Sequence, residues 1–344
     1  MKIPLIHITD LYHPPQDPDD HFDLATVMAL PEFDVKCVLL DITTKFLNAA
    51  PKGFDVARDP GFVPVIQLGY LLGRTIPVAV GPFEPLRAEN DTAADRTAAE
   101  QSGIDLLLQT LRSSAEPVVI SMVGSARLVA AAFNREPELL RTRTKSILLN
   151  AGSMTTTKPE WNVTLDVHAY KRLWKSGLPI HWYPCATEQG AFDEEHGTHW
   201  KATQRLLLKD LSPAMLAWFE FSLAANRRGD FISSLGNAGH GAAWETILSD
   251  KRNMWSTASL VMAAGRTLSQ TSEGWRFVSG SGSSTSRWPM FLDPISASVR
   301  EDGNIEWQTT LGSTDHRIFR RQPGREYGTA MGEALHALLQ TMNN

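Results

Sequence analysis

The sequence predicts an α/β fold: an open, mostly parallel sheet with helices on both faces, and a helical C-terminal part. Three observations predict it. Short apolar runs alternate with helix-period segments up to about residue 200. Several of those runs lack clean polar alternation, as strands covered on both faces do. Runs and helices follow one another singly, so right-handed crossovers can join neighbouring parallel strands. With 344 residues, 42% of them hydrophobic, the chain can bury one large core, and no repeat or linker divides it. Residues 1–344 therefore read as a single domain.

Each element has its own justification. "IPLIHIT" is a short apolar run and the first strand. In "DDHFDLATVMALPEF" the apolar Phe22, Leu24, Ala25, Met28 and Ala29 fall at helical spacing, and Pro31 stops the helix. "DVKCVLLDI" is the next strand. "GFVPVIQLGYLLG" is a helix after an irregular stretch, and "IPVAVG" a strand ending at glycine. "GIDLLLQTLRSS" is an amphipathic helix, "EPVVISMVG" a strand, "SARLVAAAFNREPELLRT" a helix and "KSILLNAG" a strand. "VTLDVHAYKRLWKSG" is a helix that Gly177 ends, and "LPIHWYPC" a strand. From about 200 to about 265 the pattern is mostly helical. "GWRFVSGSGSSTSRW" reads as a mobile loop, "ISASVREDGNIEWQTT" as a hairpin turning at "EDGN", and "YGTAMGEALHALLQTM" as the closing helix.

Composition narrows the function. The net charge is −5 and no Lys/Arg block occurs, which argues against a nucleic-acid partner. The two cysteines, Cys37 and Cys185, sit in apolar runs and read as buried free thiols in strands. They are too few for a disulfide framework or a zinc cluster. "MKIPLIHITD" has no long apolar segment, so neither a signal peptide nor a membrane span is expected, and a cytoplasmic location is.

The informative stretch is "ITDLYHPPQDPDDHFDL", with five aspartates between positions 10 and 23. Ligands of open parallel sheets bind outside the carboxyl ends of the strands. Asp10 ends the first strand, and Asp19 and Asp20 open the first helix, where free N–H groups favour negative charge. Carboxylates brought together repel unless they are protonated or share a cation, and oxygen-only ligands suit Ca²⁺ or Mg²⁺. Asp17 and Asp23 read instead as turn and solvated first-turn residues. An EF-hand is not expected: counted from Asp17, Phe22 stands where its glycine belongs and Met28 where its glutamate belongs.

On four pieces in order, the chain resembles the inosine–uridine nucleoside hydrolase family. They are the aspartate-rich loop, "TIPVAVGPFEPL", "MVGSARLVAAAFNREPELLRTRTKSILLNAG" and "EWNVTLDVHAYKRLWKSGLPIHWYP". The resemblance implies metal-assisted hydrolysis of an N-glycosidic bond, with Ca²⁺ as cofactor and a small nucleoside or sugar as partner. It implies that Asp10 is catalytic base and metal ligand, and that Asp20 is a metal ligand. Asp19 would meet a ribose hydroxyl, the backbone carbonyl of Arg127 would complete the metal shell, and Glu160 and Asn162 would hold the sugar. The read from residue chemistry alone for Glu160 and Asn162 is a polar helix start at "PEWNVT". Family members are often dimers or tetramers, which makes a homo-oligomer an expectation.

Three departures stand out. The loop after Asp10 is longer, around "LYHPPQ". "GSARL" stands where the family has "GPLTN". Met254 and Trp255 fall where the family has a late His-Asp pair, so a charged ligand is missing and cation binding is expected to be weaker. Trp255 can stack on a base or sugar face, and His240 is a fallback acid. The competing expectation is a non-catalytic nucleoside- or sugar-binding protein on the same fold, with a degraded metal site. A phosphotransferase with an aspartyl nucleophile finds no partner motif.

Overall fold

The computed structural model describes residues 2–15, 17–44, 59–155, 159–237, 241–280 and 286–343. Chain order gives strands β1 (Ile3–Thr9), β2 (Phe33–Leu40), β3 (Val78–Val80), β4 (Val118–Val123), β5 (Thr144–Asn150), β6 (Ile180–Trp182), β7 (Trp200–Thr203), β8 (Lys251–Met254), β9 (Arg266–Thr271), β10 (Gly274–Ser279), β11 (Ser286–Arg287), β12 (Met290–Val299), β13 (Ile305–Thr309) and β14 (Arg317–Arg321). The helices are α1 (Asp19–Ala29), α2 (Phe62–Leu71), α3 (Ala98–Ser113), α4 (Arg127–Arg135), α5 (Pro137–Arg143), α6 (Trp161–Leu165), α7 (Val167–Trp174), α8 (Gln204–Leu208), α9 (Pro213–Leu223), α10 (Ala242–Ser249), α11 (Thr257–Ala263) and α12 (Glu326–Gln340).

Among the described residues the main sheet runs β13-β12-β14-β6-β5-β4-β1-β2-β3. From β3 to β14 every neighbouring pair is parallel, and β12 adds an antiparallel margin with β13. The order β3-β2-β1-β4-β5-β6 reverses its direction of growth between β1 and β4. Loops leaving those two strands diverge to opposite faces, which opens a crevice at their carboxyl ends. The period of two along each strand builds both cores. Leu5 of β1 and Val38 and Leu40 of β2 pack on one face, and Ile6, Ile8, Cys37 and Leu39 on the other. No described helix is long and apolar enough to cross a membrane.

Several elements differ from expectation for local reasons. The segment at 127–143 is two helices, because Pro137 cannot donate an N–H and starts α5 instead. The segment at 161–174 also divides, at Asp166, whose carboxylate accepts the Ala169 N–H (2.9 Å) and caps α7. The start of the expected mobile loop is a strand: β10 pairs antiparallel with β9 from Gly274 to Ser279, while 281–285 lie outside the described residues. The expected hairpin is present, β12 against β13. Helices dominate between 204 and 263, interrupted by β8, which pairs antiparallel with β7. Cys37 is buried in β2 as expected, but Cys185 is a free buried thiol beyond the end of β6.

Arg127 opens α4 with a fully buried side chain. Its Nε donates to Asp166 (3.2 Å), Nη1 to the carbonyls of Pro82 and Phe83 (both 2.8 Å), and Nη2 to that of Leu165 (3.2 Å). Asp166 also accepts the Leu86 N–H at 2.7 Å. One buried ion pair thus ties the loop after β3 to the α6–α7 junction. Removing one partner strands the other charge in the interior. Arg127→Met is expected to lower the unfolding free energy by about 3–5 kcal/mol, measured by urea titration. A loss below about 1 kcal/mol would show that the pair does not secure this junction.

Candidate active site

The crevice between β1 and β4 holds the aspartates. Asp10 follows β1, and Gly124 follows β4 with φ +90°. A Cβ on Gly124 would lie 3.0 Å from both Cβ and Cγ of Asp10, so a glycine is what lets the two strand ends approach. Thr9 Oγ1 accepts the Leu11 N–H and donates to Asp20 Oδ1, both at 3.1 Å, which fastens the first turn of α1 to the strand end. The N-cap of α1 is Pro18, with no side-chain cap, so no aspartate is consumed in capping the helix. The Asp10 and Asp20 carboxyl groups interact directly with each other on the crevice floor.

A cavity of about 530 Å³ opens over this floor. Asp10, Asp19, Asp20, Glu160, Asn162 and Trp255, all named from sequence, line it together. Glu160 caps α6: its Oε1 accepts the Asn162 N–H (3.0 Å) and its Oε2 the Gly152 N–H (2.8 Å). Asn162 Nδ2 donates to the carbonyl of Asn150 at 3.2 Å. The helix-start reading of this pair and the pocket reading therefore describe the same two residues. Trp255 is pinned by its indole N–H to the Ala191 carbonyl (2.8 Å) and packs against Phe192, with ring centroids 5.6 Å apart.

Arg127 is the exception. It does not line the cavity, and its side chain is occupied with Asp166 and three carbonyls. The residue from this segment that lines the cavity is Val123, the last of β4, because the strand ends four positions before Arg127. Met254 is packed in the core, and Ser256 lines the cavity just after Trp255. His240 lies outside the described residues. Asp23, expected in solvent, is fully buried. Neither of its oxygens meets hydrogen-bond geometry, although the Ser256 side chain approaches and favours its ionised form.

Sequence reading missed Asn150, Tyr12, Arg252 and Phe192, all of which line the cavity. Asn150 carried a signal, since it ends a strand beside the switch point. Arg252 and Phe192 come from distant segments and carried none.

Electrostatics follow from geometry. Water reaches parts of Asp10, Asp19 and Glu160, yet protein surrounds them on their other sides. Burial pushes the Asp10 carboxyl up, and pushes Asp19 and Asp20 up much further, with mutual repulsion adding to it. Burial raises Asp23 to about 7, and Glu160 to about 7 against the opposing pull of its N–H donors. The donor chemistry is oxygen-only and anionic, which fits a hard cation. Among the described residues, however, no three His, Cys, Asp or Glu side chains stand in a metal-holding arrangement.

Such acids stabilise the fold when protonated. Their contribution is fully present below about pH 4, their unfolded value, and is lost as pH rises through about 7 for Asp23 and Glu160. The chelator-treated protein is therefore expected to melt higher at pH 5 than at pH 8. Equal melting temperatures, or a higher one at pH 8, would contradict this charge assignment.

An open, doubly wound sheet with an acid-lined crevice at its switch point defines a class of α/β proteins that receive a small ligand at their strand ends. Within that class, the chain belongs to the inosine-uridine preferring nucleoside hydrolase family, whose model matches residues 17–246. It is 32% identical over 201 residues to the pyrimidine-specific ribonucleoside hydrolase RihA of Salmonella typhimurium, across 52% of this chain and 59% of that protein. The match thus spans little more than half of the curated relative. Its fold is similar to that of an inosine-uridine preferring nucleoside hydrolase from Bacillus anthracis, with TM-score 0.53 and 11% identity over 99% of this chain and 100% of that one. It is also similar to a purine-preferring ribonucleoside hydrolase from Gardnerella vaginalis, with TM-score 0.52 and 14% identity over 98% and 99%.

Proposed function

We propose that this protein hydrolyses the N-glycosidic bond of a ribonucleoside or a related ribosyl compound. The observation that carries this reading is the meeting of Asp10, Asp19, Asp20, Glu160 and Asn162 around one cavity at the switch point. Family membership supports it.

In this reading each residue has a role that its position supports. Asp10, at the end of the first strand on the cavity floor, would be the general base toward an attacking water, as the family resemblance implies. Burial raises the Asp10 carboxyl from its ordinary value, the direction that suits a general base. Asp19 and Asn162 would bond sugar hydroxyls. Glu160 is fixed by two backbone N–H groups, so it presents a preoriented carboxyl to the sugar. Trp255 and Phe192 give the leaving group an apolar face. Asp10 and Asp20 would hold a divalent cation, calcium by the family resemblance, beside the Val123 strand end. When bound, it would lower the pKa of water. The protein is taken to act in the cytoplasm on a small molecule.

A binding-only protein is the second reading. It is favoured by Met254 in the core and Trp255 in the wall, where the family has a His-Asp pair. The two separate on turnover. Asp10→Ala is expected to cut release of free ribose from uridine or inosine by about a hundredfold or more, measured by a reducing-sugar assay. Turnover that Asp10→Ala leaves intact removes the mechanism. A wild-type protein that binds ribose and releases none establishes the second reading.

A further inference from the structure

The cavity is bipolar. Its floor is carboxylate, yet Arg252 of β8 also lines it, and Arg252 is the only Lys or Arg side chain among the described lining residues. Its placement is built. Gln204, itself buried, accepts from Nε at 3.4 Å and from Nη2 at 3.3 Å, which braces one edge of the guanidinium. The other edge, Nη1, meets Asp17. The two partners differ in kind. Gln204 opens α8 and is fixed in the scaffold, whereas Asp17 belongs to the loop after β1 and its side chain is half exposed. A half-exposed ion pair contributes little to stability, so Asp17 is an easily displaced partner. A guanidinium fork with one braced edge and one exchangeable edge suits bidentate binding of a phosphate.

From this we infer that Arg252 forms an anion subsite, so that a ribosyl compound bearing a phosphate is bound in preference to a neutral nucleoside. Hydroxyls of the sugar meet the acid floor, and the phosphate displaces Asp17 from Nη1. A volume of about 530 Å³ accommodates a sugar phosphate together with a base. The subsite rests on the ribosyl reading of the cavity, so its test keeps the two apart.

Calorimetry of the full chain with ribose and with ribose 5-phosphate, in the same calcium-containing buffer, measures both. Ribose binding reports the ribosyl reading, and the ratio of the two affinities reports the subsite. In the wild type, ribose 5-phosphate is expected to bind about tenfold or more tighter than ribose, the scale of a charge-assisted contact. Arg252→Gln is expected to bring the ratio close to one, and Arg252→Lys to keep part of it. Asp17→Asn, which removes the competing carboxylate, is expected to raise it. A wild-type ratio near one overturns the subsite even if ribose binds well, and so does a ratio that Arg252→Gln leaves unchanged. If ribose itself does not bind, the ribosyl reading fails and the subsite falls with it.

Discussion

Like charges held together out of bulk water govern this molecule. Asp10 at a strand end, Asp19 and Asp20 in the first turn of α1, and buried Asp23 one turn further along repel one another and lack full hydration. Nothing in their own chemistry keeps them adjacent. The sheet does so, because β1 and β4 are neighbours at the switch point and Thr9 fastens α1 to β1. The stability spent on this arrangement is recovered from the two cores that the same strands bury on opposite faces. A cluster of this kind persists where a ligand, a cation or shared protons compensate it.

The rest of the architecture serves that crevice. Gly124 removes the Cβ that would press on Asp10. The Arg127–Asp166 pair secures the α6–α7 junction, and so the segment that carries Glu160 and Asn162. Asn150, at the end of β5, receives the Asn162 amide through its carbonyl. The antiparallel β7–β8 pair brings Arg252 and Trp255 to the same cavity from far along the chain. Acid floor, aromatic wall and a single arginine thus come from separate segments that meet only in the folded state.

Much of this was legible in the sequence, for stated reasons. The alternating runs gave the parallel sheet, since strand and helix periods differ and each signal is local. Asp10, Asp19 and Asp20 stood out because a strand-end acid followed by a helix-start pair must meet at the same end of the sheet. Arg127 shows where such counting stops. A carbonyl's position depends on the residue at which β4 ends, and the strand ends at Val123. Asp23 shows a second limit: acid at a helix start is usually solvated, and only the packing around α1 reveals that this one is buried. Arg252 and Phe192 depend on long-range contacts, which no local pattern carries.

The central claim is that the Asp10–Asp19–Asp20 crevice is a working site for a cation and a ribosyl ligand together. Calcium titration by calorimetry on chelator-treated protein, without and with saturating ribose, tests it most directly. The expected result is calcium binding that ribose strengthens and that Asp20→Asn weakens, since both ligands share one floor. Calcium binding absent in both conditions, or unaffected by Asp20→Asn, would contradict it.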